Sequence, residues 1–429
     1  MKKLVSPLYG LFALVSCVLL IGWSVKYASA SLKEQDRVLA PKATAATAEE
    51  KLLPLLQNPD FDPKPTDTII RQAGVQLSPP TSGKVQVAIL LDVSNSMDGL
   101  IDQAKAQLWN MVNLLGNARC NGAQPQFELA LYEYGRPQNG PVSGYVRQLH
   151  AFTRNLDSVS ATLFSLKTDG GDEYCTEVIA QSVKSLKWDG EQNTYKVLFI
   201  AGNESFRQGS LNWSEACRMA RDKGVIVNTI YCGDRQDGIK EYWSLGAECG
   251  GGSYTHINQD AAPHEIPTPY DSILFVLNDQ LNDTYVSYGK QGLMAANLQK
   301  SMDRQNYSLS PSAAAKRVEV KSKNNVYRNE SWDLVDALES NAANVKNLSA
   351  EELPAELKGK SPAAIEAYLK EKKAARNLIQ QKIADLSIKR NAFIKNAGQN
   401  AKGQAPTLEN EIERIIKAQA GRYNIKIEE

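Results

Sequence analysis

KVQVAILLDVSNSMDGL, residues Lys84 to Leu100, joins a strand-length apolar run to a loop of oxygen-bearing side chains. Val85, Val87, Ala88, Ile89, Leu90 and Leu91 leave almost no polar face, which is the pattern of a central parallel strand covered on both sides. Asp92, Ser94 and Ser96 follow at its carboxyl end, and from Leu100 to Leu115 apolar residues recur at helical spacing. Ligand sites in open α/β sheets gather at that end of the strands.

The spacing D-x-S-x-S suits a hard cation. Mg²⁺ takes oxygen donors in octahedral geometry and keeps several of its waters. Two short hydroxyl side chains leave room for those waters and add no charge. A plainer reading has Asp92 and the serines capping the helix that follows, since Asp and Ser are preferred in that position.

Joined to this strand and this helix, the loop resembles the metal-ion-dependent adhesion site of von Willebrand factor A-like domains, over about Gly83 to Leu281. The resemblance implies an α/β fold with a doubly wound, mostly parallel six-stranded sheet, and weakly bound Mg²⁺ or Mn²⁺ at Asp92, Ser94 and Ser96. It implies two further metal loops. In Thr168-Asp169-Gly170-Gly171-Asp172-Glu173-Tyr174-Cys175, where the family offers Thr, Asp172 is the chosen oxygen donor with Glu173 and Thr168 behind it. Asp172 and Glu173 read equally as first-turn acids of a helix. In Ala201-Gly202-Asn203-Glu204-Ser205 the family Asp is missing, so Glu204 or the Asn203 amide takes its place, or water does.

Strand and helix alternate from Gly83 to about Asp260. Strands are expected at Val85–Asp92, Phe127–Tyr134, Val146–Phe152, Lys196–Ala201, Val225–Tyr231 and Gly252–Ile257, with helices near Leu100–Leu115, Leu156–Leu166, Cys175–Leu186, Trp213–Lys223 and Ile239–Glu248. A Gly/Pro-rich loop alone separates the second and third strands, so one of them is expected at an antiparallel edge. Tyr270–Leu281 is amphipathic and is the expected closing helix of the domain, taken as residues 84–283.

Residues 284–429 are rich in Lys, Ala, Asn and Gln and show no strand signal, which predicts an all-helical region. Its longest helix, Pro362–Lys395, aligns Ile365, Leu369, Ile379, Ile383, Leu386 and Phe393 on one face. Lys372 and Arg376 interrupt that stripe, which favours a helical hairpin or an arm against a partner over a continuous coiled coil.

Residues 1–30 read as a targeting segment: Lys2 and Lys3, an apolar run, then Ala28-Ser29-Ala30 in the form of a signal-peptidase site. Residues 4–25 are long enough for an uncleaved membrane anchor, and Leu14-Val15-Ser16-Cys17 resembles a lipobox, so a lipoprotein attached at Cys17 is a third reading. All three export the remainder to the bacterial periplasm or cell envelope, through a linker at residues 31–83. Of six cysteines, Cys17, Cys120, Cys175, Cys217, Cys232 and Cys249, the last five lie in the exported domain, where disulfides are permitted but spacing fixes no pairing. Cys217 and Cys232 read as small buried apolar side chains.

His150, His256 and His264 are scattered, and no Gly-x-Ser-x-Gly elbow, Walker loop or His-Glu-x-x-His is present. The 49 basic and 48 acidic residues give no broad pull toward nucleic acid. The reading is a non-enzymatic binding module whose cation captures an Asp, Glu or C-terminal carboxylate of an envelope protein. The alternatives are a metal-assisted hydrolase or a subunit of one, with Asp172, Glu173 and Glu204 as the base cluster, and a metal-free scaffold.

Overall fold

β1 (Lys84–Asp92) is hydrogen-bonded in parallel to β3 (Gln126–Tyr134) on one side and to β5 (Tyr195–Gly202) on the other. Val85, Val87 and Leu91 enter one core layer, and Ala88 and Leu90 enter the opposite one. This two-sided burial is what the continuous apolar run requires. The computed structural model describes residues 83–191, 194–258, 260, 266–398 and 408–428. The targeting segment, Cys17, His264 and all of the linker but Gly83 lie outside them.

The six-stranded sheet runs in the order β4-β3-β1-β5-β6-β7, with β4 at Arg147–Thr153, β6 at Ile226–Cys232 and β7 at Gly251–Ile257. Only β4 is antiparallel. The segment between β3 and β4 holds two single-turn helices and no crossover helix, and a parallel return needs one. On one face lie α1 (Asp98–Gly116) and α2 (Leu156–Ser165). On the other lie α3 (Cys175–Ser185) and α4 (Trp213–Asp222). The six strands of this sheet and the four helices beside them thus fall close to where the sequence places them, as a doubly wound, mostly parallel α/β sheet followed by a helical region.

The helix expected over Ile239–Glu248 is two, α5 (Arg235–Lys240) and α6 (Trp243–Cys249). Tyr242 between them is left-handed, with φ +68°. The break lets the Glu241 carbonyl accept from Phe206 N–H at 2.9 Å while the Trp243 indole donates to the Glu204 carbonyl at 2.7 Å. Both bonds tie α5 and α6 to the loop after β5.

Tyr270–Leu281 does not close the sheet. The corresponding helix, α7 (Asp271–Asn282), buries Leu274, Leu277 and Leu281 against α9 (Pro311–Lys321) and Ile383. The sheet face beside α1 is covered instead by α12 (Leu408–Ala420), whose Leu408, Ile412, Ile415 and Ile416 join the core of Val197, Phe199 and Ile230. Gln419 locks it in place, accepting from Tyr195 Oη at 3.0 Å and donating to Asn228 Oδ1 at 2.7 Å. The tail is also not wholly helical: β8 (Ile425–Ile427) pairs antiparallel with β2 (Ala118–Cys120). Three residues on an existing edge are too short to leave a period in the sequence.

The other helices are α8 (Gly292–Leu309), α10 (Leu334–Glu339) and α11 (Pro362–Gly398). α11 lies across its own neighbours, with Ile365 and Leu369 against Val286, Leu334 and Val335, and Ile383 against α7 and α9. Arg376, read as an interruption, turns inward to Asp333 at 2.7 Å and Asp336 at 2.6 Å, stacked 4.3 Å from the Tyr285 ring centroid. Arg390 likewise meets Asp271 at 2.7 Å. Phe393 is 39 % exposed. A second buried network, Arg317 with Asp157 and Asp303, and Lys321 with Asp303, fastens α8 and α9 to α2.

Candidate metal centre

Asp92 is the last residue of β1, level with Tyr134 of β3, and is fully buried. Its Oδ1 accepts from Ser94 N–H at 2.8 Å, closing a short turn. The Ser94 and Ser96 hydroxyl oxygens lie 3.5 Å apart, and Asn203 Nδ2 donates to Ser96 Oγ at 3.2 Å. None of the three caps α1. The residue ahead of that helix is Met97, and its side chain makes no capping hydrogen bond.

The second loop folds over the first. Asp169 N–H donates to the Val93 carbonyl at 2.9 Å, and Thr168 Oγ1 donates to Asp98 Oδ1 at 2.6 Å, so Thr168 ties the second loop to the start of α1. Glu173 is the acid that reaches the centre. Its carboxyl lies within hydrogen-bond reach of Asp92 and Ser94, it is 6 % exposed, and its N–H is held by Gln208 Oε1 at 2.9 Å. Asp172 points outward to Tyr174 Oη, 3.5 Å away, and to Tyr145. Gly135, at φ +87°, makes this approach possible, since a Cβ there would stand 2.9 Å from Asp92 Oδ1 and 3.1 Å from Glu173 Cγ.

The third loop brings Asn203 to Ser96, while Glu204 is exposed at the rim and acts on Asp92 and Glu173 through its charge. Gly202 leaves room for Asp92 Oδ2, which a Cβ would meet at 2.9 Å. The structure therefore gathers Asp92, Ser94, Ser96, Glu173 and Asn203, sets Glu204 beside them, turns Asp172 to the tyrosines and bonds Thr168 to Asp98.

Burial pushes the Asp92 carboxyl up from its ordinary value. Burial and the neighbouring Asp92 push Glu173 up to about 10. Two carboxyls face each other where water does not reach. Asp92 Oδ2, Glu173 Oε2 and Asn203 Oδ1 are buried and have no hydrogen-bond partner. Buried polar atoms are seldom left so. Two carboxylates, two hydroxyls and an amide oxygen are the donor set of a hard divalent cation, and they fit one. Among the described residues no group of three or more His, Cys, Asp and Glu side chains is arranged to hold a metal, so such an ion would depend on the hydroxyl and amide oxygens as well.

The histidines stand apart from this centre. His150 Nε2 is 2.7 Å from Thr162 Oγ1 at the β4 edge, and His256 lies on β7.

The strand order β4-β3-β1-β5-β6-β7, with its one antiparallel edge, is that of a mostly parallel, doubly wound α/β sheet that carries the Asp92 loop at the carboxyl end of β1. No family model and no curated protein matches the chain. Solved structures similar to it include an aerotolerance-related membrane protein from Bacteroides fragilis (16 % identity, 41 % of this chain and 93 % of that one, TM-score 0.29). Another is the conserved hypothetical protein BatB from Bacteroides thetaiotaomicron (17 % identity, 40 % and 90 %, TM-score 0.30). A third is a von Willebrand factor type A protein from Catenulispora acidiphila (14 % identity, 42 % and 39 %, TM-score 0.32).

Proposed function

We propose that the chain is an exported, non-enzymatic binding module in which Asp92, Ser94, Ser96, Glu173 and Asn203 hold Mg²⁺ or Mn²⁺, and that the ion captures an Asp, Glu or C-terminal carboxylate of an envelope protein. The observation that carries this reading is the convergence of three buried oxygens without partners, on Asp92, Glu173 and Asn203, beside two serine hydroxyls. A cation would satisfy all of them and relieve the contact between two buried carboxyls. Bound there, it would offer an acidic ligand a Lewis-acidic position still open to exchange with water.

Glu173 takes the place that the sequence assigned to Asp172, and it alters the balance of charge. With Asp92 and Glu173 both coordinated, a divalent ion is neutralised. The partner's carboxylate then gains most by displacing Glu173, and Glu204 at the rim selects against partners that carry further acids close by. The proposed setting is the bacterial periplasm or cell envelope, reached by cleavage before Ser31, by anchoring through residues 4–25, or by lipidation at Cys17.

Capture of partners from envelope extract, compared in Mg²⁺, in chelator and with Asp92→Ala, tests the reading. Capture that requires both the metal and Asp92 supports it. Capture unchanged across all three means the domain binds through another surface.

A further inference from the structure

We propose that Cys217 and Cys249 are a redox pair, in which an accessible thiol flanked by Arg221 is backed by a buried resolving thiol, and that they close into a disulfide joining α4 to α6. The pairing does not depend on the metal centre. Cys217 lies on the inner face of α4, fully buried, with Sγ 3.6 Å from the Gly246 carbonyl of α6. Cys249 ends the same helix α6, three residues further on, and is partly exposed. Cys217 Sγ therefore sits over the turn of α6 that carries Cys249, and the two thiols act on each other. Arg221, one turn beyond Cys217, spans the gap, donating from Nη1 to the Cys249 carbonyl and to its Sγ at 3.5 Å.

The chemistry of the two thiols differs. The Cys217 thiol, together with Arg221, holds Cys249 below the ordinary thiol value, whereas Cys217 is pushed far up by its bond to Cys249 and by burial. Thiolate is the attacking species in disulfide exchange, and a thiolate beside a cation at a surface is the reactive kind. The other described thiols, Cys120, Cys175 and Cys232, are buried. Burial raises Cys175 and Cys232 well above the ordinary range.

The oxidant is a disulfide, and a small-molecule disulfide serves as its probe. The Cys249 thiolate attacks one of its sulfurs, forming a mixed disulfide and expelling one thiolate, which takes up a proton. Cys217 then gives up its proton and attacks Cys249 Sγ, expelling the second thiol. Two protein thiols and one small disulfide become one protein disulfide and two small thiols, and the electron pair passes to the oxidant.

The reduced full-length chain is treated with oxidised glutathione, quenched by alkylation and mapped by mass spectrometry without reduction. The proposal expects one Cys217–Cys249 linked peptide, with Cys120, Cys175 and Cys232 alkylated only after unfolding. Cys217→Ser should halt at a glutathione adduct on Cys249, and Cys249→Ser should leave Cys217 unmodified. A wild-type chain that halts at the Cys249 adduct, keeps both thiols free or links another pair overturns the proposal. So does glutathione uptake at Cys217 in the Cys249→Ser variant.

Discussion

Asp92 and Glu173 face each other at the carboxyl end of β1, each with one carboxyl oxygen buried and unpartnered. They are 81 positions apart in the chain (173 − 92), and they meet because Gly135 leaves the space above Asp92 empty.

Replacing Glu173 by Gln should have opposite effects with and without a cation. In chelator, the variant loses one of two apposed buried carboxyls and should gain stability, by at least about 1 kcal/mol. In excess Mg²⁺, at roughly a hundred times the dissociation constant, wild type should gain about 2.7 kcal/mol and the variant much less. Thermal unfolding of both proteins in both buffers checks this. A variant that is weakened in chelator and fully rescued by Mg²⁺ would place Glu173 outside the centre.

α12 should be as integral to the sheet domain as α1. Ile415 is fully buried in the core shared with Val197 and Phe199, so Ile415→Ala should cost about 3 kcal/mol, within the range for deleting most of a buried aliphatic side chain. Ile273, 48 % exposed on α7, should tolerate the same change within about 0.5 kcal/mol. Urea denaturation measures both. Equal, small costs would mean that the end of the chain does not close the sheet.

The α10–α11 contact should carry a pH dependence. Burial and then the charge of Asp333 push Asp336 up from 3.8 to about 6, against the opposing pull of Arg376. A carboxyl raised by folding stabilises the fold below its unfolded value and loses that contribution as pH rises through its folded one. Relative to Asp336→Asn, wild type should therefore lose about 2.4 kcal/mol between pH 4 and pH 7 and little more above it. Denaturant titrations of the pair at several pH values test this, and a difference that stays flat from pH 4 to pH 7 contradicts it.

The strands were legible because β1, β3, β5 and β6 are buried on both faces, which β1 and β5 show as long, nearly continuous apolar runs. The D-x-S-x-S loop was legible because its three oxygens come from one short segment. What decided the rest was tertiary. Gly171 and Asp172 precede an acid that turns inward, and no local pattern tells Asp172 from Glu173 before Gly135 and Gln208 are in place. Tyr270–Leu281 and Leu408–Gln419 are both amphipathic, and only the partners Tyr195 and Asn228, which receive Gln419, separate the closing helix from the one packed elsewhere. Arg376 broke an apolar stripe on paper because Asp333 and Asp336, its buried partners, lie some forty residues away.

The central claim is that the Asp92 cluster holds a divalent cation, and calorimetric titration of Mn²⁺ and of Mg²⁺ into chelator-treated protein tests it most directly, with Asp92→Ala alongside. A single saturable site in wild type that is absent from a folded Asp92→Ala protein is the expected result. Equal heats for the two proteins, or no saturable binding in wild type, would contradict it and leave Asp92 and Glu173 as a buried acid pair without a metal.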